Sequence, residues 1–311
     1  MNDLSGAVAD YLALRRAVGF RLVQAQRILN DFAAFANEEH PAHITTDLVV
    51  RWATRPSGVT PGWWNTRLSV VRCFARHLAA LDPATEIPPL DVLSRSGPSN
   101  RRAEPYLYTP EEVAALMAAC DSRRFSLTTA TCRTIIGLLA VTGMRISEIL
   151  GLDNNDVEPE QAVLTVRQSK FGRSRNVPIH HSTIDALDAY RVIRDTRFAP
   201  AHSEAFFVSW SGGRLSYGAM NEHFDRLIAI AGLGPRSPRC RPRLHDFRHS
   251  FATATLDNWY QAGVDVQAKL PLLSTFLGHV DPASTYWYLS PKPDLLAAAA
   301  RRLEDRRGGR S

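Results

Sequence analysis

Six side chains of this sequence are of types and spacings that could work as one site: Arg145, Lys170, His245, Arg248, His279 and Tyr288. His245 and Arg248 stand three apart in Leu-His-Asp-Phe-Arg-His, so on a helix an imidazole and a guanidinium project from one face while Phe247 turns to the core. Arg145 follows Thr142-Gly143, a helix stop where a chain reversal can bring a long cation to the rim of a domain. A guanidinium is a planar fork that binds two phosphate oxygens at once, so two of them could clamp one phosphodiester.

The elements that must position these residues follow from periodicity. From Leu4 to about Leu81 apolar residues recur at helical spacing, with breaks at His40-Pro41 and Pro56-Ser57-Gly58, which predicts a bundle of about four helices. Residues 82–104 are rich in Pro, Ser, Gly and Arg and have little periodicity. The chain is therefore divided into a helical domain at 1–85, a linker at 86–106 and a second domain at 107–311 that closes on an amphipathic helix at 293–307. Thr109-Pro110-Glu111-Glu112 carries the cap, first-position Pro and early acids of a helix start. Helices are expected at 127–141, 145–150, 183–197, 217–231, 243–259 and 270–277, the last with Gly278 as its cap. Residues 162–167 and 176–179 read as strands joined through Lys170-Phe171-Gly172-Arg173. The expected fold is mainly α with a small antiparallel β-sheet.

A chain of 311 residues, 45% apolar, can bury two cores. Its formal charge of +6 suits a polyanionic partner. Of 37 basic residues only three are Lys: Lys170, Lys269 and Lys292. Cys73, Cys120, Cys132 and Cys240 form neither a zinc knuckle nor a disulfide framework, so reduced thiols are expected. No apolar run reaches the length of a membrane span and the N-terminus lacks a signal pattern, which leads to the expectation of a soluble, cytoplasmic protein without membrane partners.

Thr142-Gly-Met-Arg145-Ile-Ser-Glu-Ile-Leu150 resembles the first motif of the tyrosine recombinase, or phage integrase, family. Three more boxes follow in order: Lys170 eight positions before Pro178, His245-Asp-Phe-Arg248, and Leu277-Gly278-His279 with Tyr288 nine residues later. The matches run from about Thr109 to Ser290, and the N-terminal bundle is similar to the family's core-binding domain in size and helicity. The resemblance implies a SAM-like core-binding domain followed by an α+β catalytic domain. It implies that Arg145 and Arg248 hold the nonbridging oxygens of a scissile phosphate, that His279 donates a further hydrogen bond, and that Tyr288 attacks to leave a 3′-phosphotyrosyl link and a free 5′-hydroxyl. Lys170 would then protonate the departing oxygen, for which an amine is suited and an arginine, with a pKa above about 12, is not. His245 would assist proton transfer at the tyrosine or during religation. One phosphoester replaces another, so neither ATP, metal nor other cofactor is called for.

Rival readings are specific. His245-Asp246-Phe247-Arg248-His249 is a near miss to a zinc helix, but Asp stands in place of the catalytic Glu and an Arg lies between the ligands. Tyr286 competes with Tyr288; on a helix two positions turn a side chain by about 200°, so only one phenol could face the cations, and the interval from His279 favours Tyr288. Trp287 would then be a packing aromatic that keeps water from the phosphotyrosine. Glu148 reads as a structural partner of Arg145. The basic, Pro-rich loop at 232–242 reads as phosphate-tracking or as a solvated linker, with the first favoured. The expected function is site-specific recombination of a mobile element on double-stranded DNA with paired sites, by a homotetramer or by a tetramer shared with related recombinases. The alternatives are a catalytically silent DNA-binding partner and a type IB topoisomerase-like relaxing activity.

Overall fold

The computed structural model describes residues 4–20, 22–93, 103–121, 126–167, 174–198 and 203–278. The chain divides into two compact units, Met1–Arg102 and Ala103–Ser311. The first unit holds α1 (Leu4–Ala17), α2 (Val23–Glu39), α3 (Thr46–Thr54) and α4 (Pro61–Leu78). The breaks after α2 and α3 lie at His40-Pro41 and Pro56-Ser57-Gly58, as the sequence places them, and a further break between Ala17 and Val23 goes beyond those two. In α1 the buried residues Leu4, Val8, Tyr11 and Leu12 follow helical spacing and line one stripe. The α3 start is capped by Thr45, whose hydroxyl accepts from the Leu48 N–H at 3.2 Å. Pro61 opens α4, where its missing N–H costs nothing. At the centre Phe32 meets Trp52 edge-on at 5.1 Å, and the Arg67 guanidinium stacks on the Trp52 ring at 3.8 Å while pairing with Asp31 at 3.0 Å.

Both ends of the stretch expected as a linker are packed. Glu86 accepts from the Thr46 N–H at 2.7 Å and Leu93 is buried in the first core, whereas Tyr106 is buried in the second.

The second unit comprises α5 (Pro110–Asp121), α6 (Leu127–Thr142), α7 (Ile146–Leu150), a 3-10 turn (Asn154–Asp156), β1 (Val157–Glu158), β2 (Val163–Val166), β3 (Arg175–Pro178), α8 (His181–Arg197), α9 (Tyr217–Ile230), α10 (Asp246–Gln261) and α11 (Val266–Leu277). Thr109 and Glu112 form a reciprocal cap at α5, Glu112 N–H to Thr109 Oγ1 at 3.2 Å and Thr109 N–H to Glu112 Oε2 at 2.9 Å. Helix α6 is apolar on most of its surface because it is central, packing against α5, α8 and α10. Tyr108 stacks on Phe247 at 4.2 Å, which fastens the start of this unit to α10.

The sheet is antiparallel in the order β1-β2-β3, with Leu164 opposite Val177 and Val166 opposite Arg175. Residues directly opposite share a face, and Leu164, Val166 and Val177 are buried, so the register turns Arg175 toward the core face. The strand β1 goes beyond the two strands expected from sequence. Helix α11 begins earlier than its expected start at 270: Asp265 Oδ1 caps it by accepting from Gln267 N–H at 3.0 Å and Ala268 N–H at 3.2 Å, so Pro271 lies inside the helix. The expected helix at 293–307 lies outside the described residues. Among the described residues no helix is long and apolar enough to cross a membrane, and all four cysteines are free thiols.

Ile135 sits fully buried in the middle of α6. Ile135→Ala is expected to cost about 2–5 kcal/mol through lost burial and the cavity left behind. The check is the urea midpoint of the second unit, which should fall with its m-value unchanged.

Candidate active site

Gly143 ends α6 with a left-handed backbone, φ 60°, and this places Arg145 as the N-cap of α7 in extended conformation. No other residue fits there easily: a Cβ at 143 would stand 2.6 Å from Phe251 Cδ1. The Arg145 backbone N–H donates to Glu148 Oε2 at 3.0 Å. Its side chain donates from Nη1 to Glu148 Oε1 at 2.8 Å and from Nη2 to the Gly278 carbonyl at 3.1 Å.

Arg248 lies in the first turn of α10 and is buried. Its Nη1 donates to the Gly143 carbonyl at 3.0 Å and its Nη2 to the Leu277 carbonyl at 2.7 Å. Arg175, at the start of β3, donates from Nε to the Phe276 carbonyl at 2.9 Å. Its Nη1 and Nη2 reach Glu148 Oε1 and Oε2 at 3.0 and 2.9 Å.

Three successive carbonyls at the end of α11, those of Phe276, Leu277 and Gly278, therefore each accept from one guanidinium. The last carbonyls of a helix lack intrahelical donors and carry the negative end of its dipole, so they attract cations without neutralising them. Gly278 itself has φ 70°, and a Cβ there would lie 2.8 Å from Arg175 Nη1. Only glycine lets the arginine come this close.

Glu148 has 5% of its side chain exposed. Burial pushes its pKa up, but the hydrogen bonds and charge of Arg175, followed by those of Arg145, outweigh burial and bring it to about 2. His245 is the N-cap of α10, not a residue of its first turn as expected, and is exposed on one side. Desolvation of its ring, then the positive charges of Arg248 and Arg145, hold its pKa below the ordinary imidazole value. The His249 ring meets it edge-on at 5.2 Å. Asp246, at the position where a zinc helix would carry its catalytic carboxylate, is fully buried and accepts from Arg243 at 2.7 and 2.9 Å.

Of the six residues singled out in the sequence, Arg145, His245 and Arg248 come together here. Lys170, His279 and Tyr288 lie outside the described residues, as do Tyr286 and Trp287; His279 is the next residue after Gly278. Arg175 is not among those six. Its signal was there in the strand alternation, since Arg175 shares the phase of Val177, and a charge in a core phase requires a partner. Two arginines of the loop at 232–242 face protein carboxylates: Arg236 binds both oxygens of Glu112 at 2.8 and 2.7 Å, and Arg239 lies 3.5 Å from Glu104. Those two brace the start of the unit.

A model of the phage integrase family matches residues 107–294. Over 312 residues the chain is 44% identical to a protein of Sinorhizobium fredii named as an integrase/recombinase, y4rB, with 98% of each chain covered. It is 32% identical over 222 residues to tyrosine recombinase XerD of Mycobacterium tuberculosis, covering 69% of this chain and 63% of that one. Among solved structures, the Tn1549 transposon integrase in complex with transposon right end DNA has the same fold, with a TM-score of 0.64 at 18% identity over 97% of this chain and 99% of that one.

The low pKa of Glu148 has a signed consequence for stability. A carboxyl depressed in the folded state stabilises fully above its unfolded value, here 4.5, and that contribution drains away as pH falls toward about 2. Glu148→Gln should cost about 3–5 kcal/mol at neutral pH, because it leaves two partly buried guanidiniums without their anion. Denaturant unfolding measured at successive pH values should show the gap between wild type and variant narrowing in that acid window; a constant gap would contradict the ionised pair.

Proposed function

We propose a reaction and a role for each site residue from one premise: the chain belongs to the phage integrase family, the tyrosine recombinases, which are DNA strand transferases of site-specific recombination. The substrate is double-stranded DNA bearing paired recombination sites, and the reaction integrates, excises or transposes a mobile element. The observation that carries this reading is the convergence of Arg145 and Arg248 on adjacent carbonyls, Gly278 and Leu277, directly before His279 in the chain. Two guanidiniums fixed side by side form a clamp for one phosphodiester.

In the proposed step the Tyr288 oxygen attacks the scissile phosphorus in line and the bond to the 5′-oxygen breaks. Lys170 supplies the proton that the departing oxygen takes up, and the phosphate, still esterified to the DNA 3′-oxygen, is now bonded to Tyr288. Negative charge grows on the nonbridging oxygens as this happens, and Arg145, Arg248 and His279 meet it with donors already in place. His245, kept neutral by its surroundings, can accept the phenol proton. A free 5′-hydroxyl of the partner duplex then attacks the phosphotyrosine and restores a phosphodiester, so bond energy is conserved. Exchange between two duplexes breaks four strands and each chain offers one nucleophile, which calls for four subunits. The helical first unit would serve as the core-binding DNA-binding domain, joined through the 86–106 linker to the catalytic domain at 107–311. A silent partner would lack one of the six residues, and the sequence keeps them all.

A nicked suicide duplex from the element's end, incubated with the protein, should yield a covalent adduct that Tyr288→Phe abolishes and Tyr286→Phe retains; the reverse pattern would move the nucleophile to Tyr286. The pH profile of adduct formation gives a second test. Because the His245 pKa is lowered, its neutral form persists below pH 6.5, so the acid limb of the single-turnover rate should lie below that value and be lost in His245→Gln.

A further inference from the structure

We propose that Arg175 is a positioning residue of strand transfer, which takes up the charge of Glu148 so that Arg145 keeps its pull on the scissile phosphate. The inference rests on the reading of Arg145 as part of the phosphate clamp. Arg175 is held to the protein more fully than Arg145. All three of its side-chain nitrogens donate to protein acceptors, one to the Phe276 carbonyl and two to Glu148, and only 11% of its side chain is exposed. Arg145 differs. It commits one hydrogen of Nη1 and one of Nη2 to Glu148 and Gly278, which leaves Nε–H and a hydrogen on each Nη for a ligand.

The charges decide what Arg175 does. Glu148 lies 2.8 Å from Arg145, and a carboxylate that close, if paired with Arg145 alone, would cancel most of the field the guanidinium exerts on a phosphate. With Arg175 bound to the same carboxylate through both of its terminal nitrogens, the group of three carries one net positive charge. A phosphodiester brings one negative charge and gains more in the transition state, so that net charge stabilises the transition state over the ground state. Arg175 also fixes where the charge sits. Its Nε bond to Phe276 and the Arg145 bond to Gly278 attach the end of α11 to one carboxylate from two sides.

Sheet packing alone does not account for an arginine at this position. Val177 fills the core face one step along β3, and an aliphatic residue at 175 would avoid the cost of desolvating a guanidinium.

A purely structural role for Arg175 and this electrostatic one part company on the charge of the substrate. Arg175→Gln and Arg175→Lys would be assayed for adduct formation on nicked duplexes that carry either the natural phosphodiester or a neutral methylphosphonate at the scissile position. On the phosphodiester Arg175→Gln should be slower by about 100-fold, and Arg175→Lys, which keeps the charge but loses the fork, by about tenfold. On the methylphosphonate, where less negative charge develops, the Arg175→Gln deficit should shrink to within about fivefold of wild type. Equal deficits on both substrates would overturn the proposal, as would wild-type rates in Arg175→Gln. If Arg175→Gln does not fold, the double variant Glu148→Gln/Arg175→Gln takes its place: with the competing carboxylate gone it should cleave within about tenfold of wild type, and an inactive but folded double variant would refute the charge argument. Failure of the wild-type protein to form any adduct would instead remove the phosphate-clamp reading from which the inference starts.

Discussion

Glu148 is almost entirely withdrawn from water, and a carboxylate so placed stays ionised only if cations replace its hydration. Arg175 and Arg145 do so from opposite chain segments, and each also reaches on to the end of α11. The site is thus organised around an anion that is no part of the reaction proposed for it. Removing either arginine would leave the carboxylate with one cation where burial demands two, which links the fate of the clamp to the fate of the fold.

Each segment meeting at this carboxylate is brought there by a local rule. The α6 helix stops at a glycine whose neighbours leave no space for a side chain, and the stop aims Arg145 away from the helix. The register of β3 against β2 turns Arg175 inward opposite Val166. Helix α10 begins at the residue after His245, so Arg248 lies in its first turn, close enough to reach back to the Gly143 carbonyl. Helix α11 ends at a second left-handed glycine, Gly278, which exposes the carbonyls that receive the arginines. Four short-range choices of backbone conformation thereby fix a long-range arrangement.

The helices of the first unit were legible because their apolar stripes are long and their breaks carry Pro and Gly, as at His40-Pro41 and Pro56-Ser57-Gly58. Arg145, His245 and Arg248 were legible because spacing and motif order coincide. Other features escaped for physical reasons. The two residues of β1 are too few to show alternation. The cap at Asp265 outranks the helix-breaking tendency of Pro271, so α11 begins before the apolar run that marks it. Arg175 was overlooked because its strand reads as a hairpin arm, where a surface arginine needs no explanation, although it shares the phase of Val177; the register against β2 turns it inward. In the basic loop at 232–242 composition counts positive charges but not the carboxylates of Glu104 and Glu112 that answer two of them. Lys170, His279 and Tyr288 fall outside the described residues, and their roles rest on sequence and family.

The chemistry of the acceptors separates two ways of holding an arginine. A carboxylate orients a guanidinium and also cancels its charge; a backbone carbonyl orients it and leaves the charge intact. Arg175 is held chiefly by Glu148, whereas the Gly143 and Leu277 carbonyls fix both terminal nitrogens of Arg248. Arg145 is intermediate, with one terminal nitrogen on each kind of acceptor. A clamp for an anion should spend its carboxylates on the residue that does not touch the anion and its carbonyls on those that do, and the helix end supplies the carbonyls in a row. The partial negative charge of the helix terminus, about half an elementary charge, adds to the Glu148 carboxylate in holding three guanidiniums together and leaves their charge largely unsatisfied. The remaining demand for negative charge is what a phosphodiester would meet on arrival, with the donors already oriented and no rearrangement required when the transition state forms.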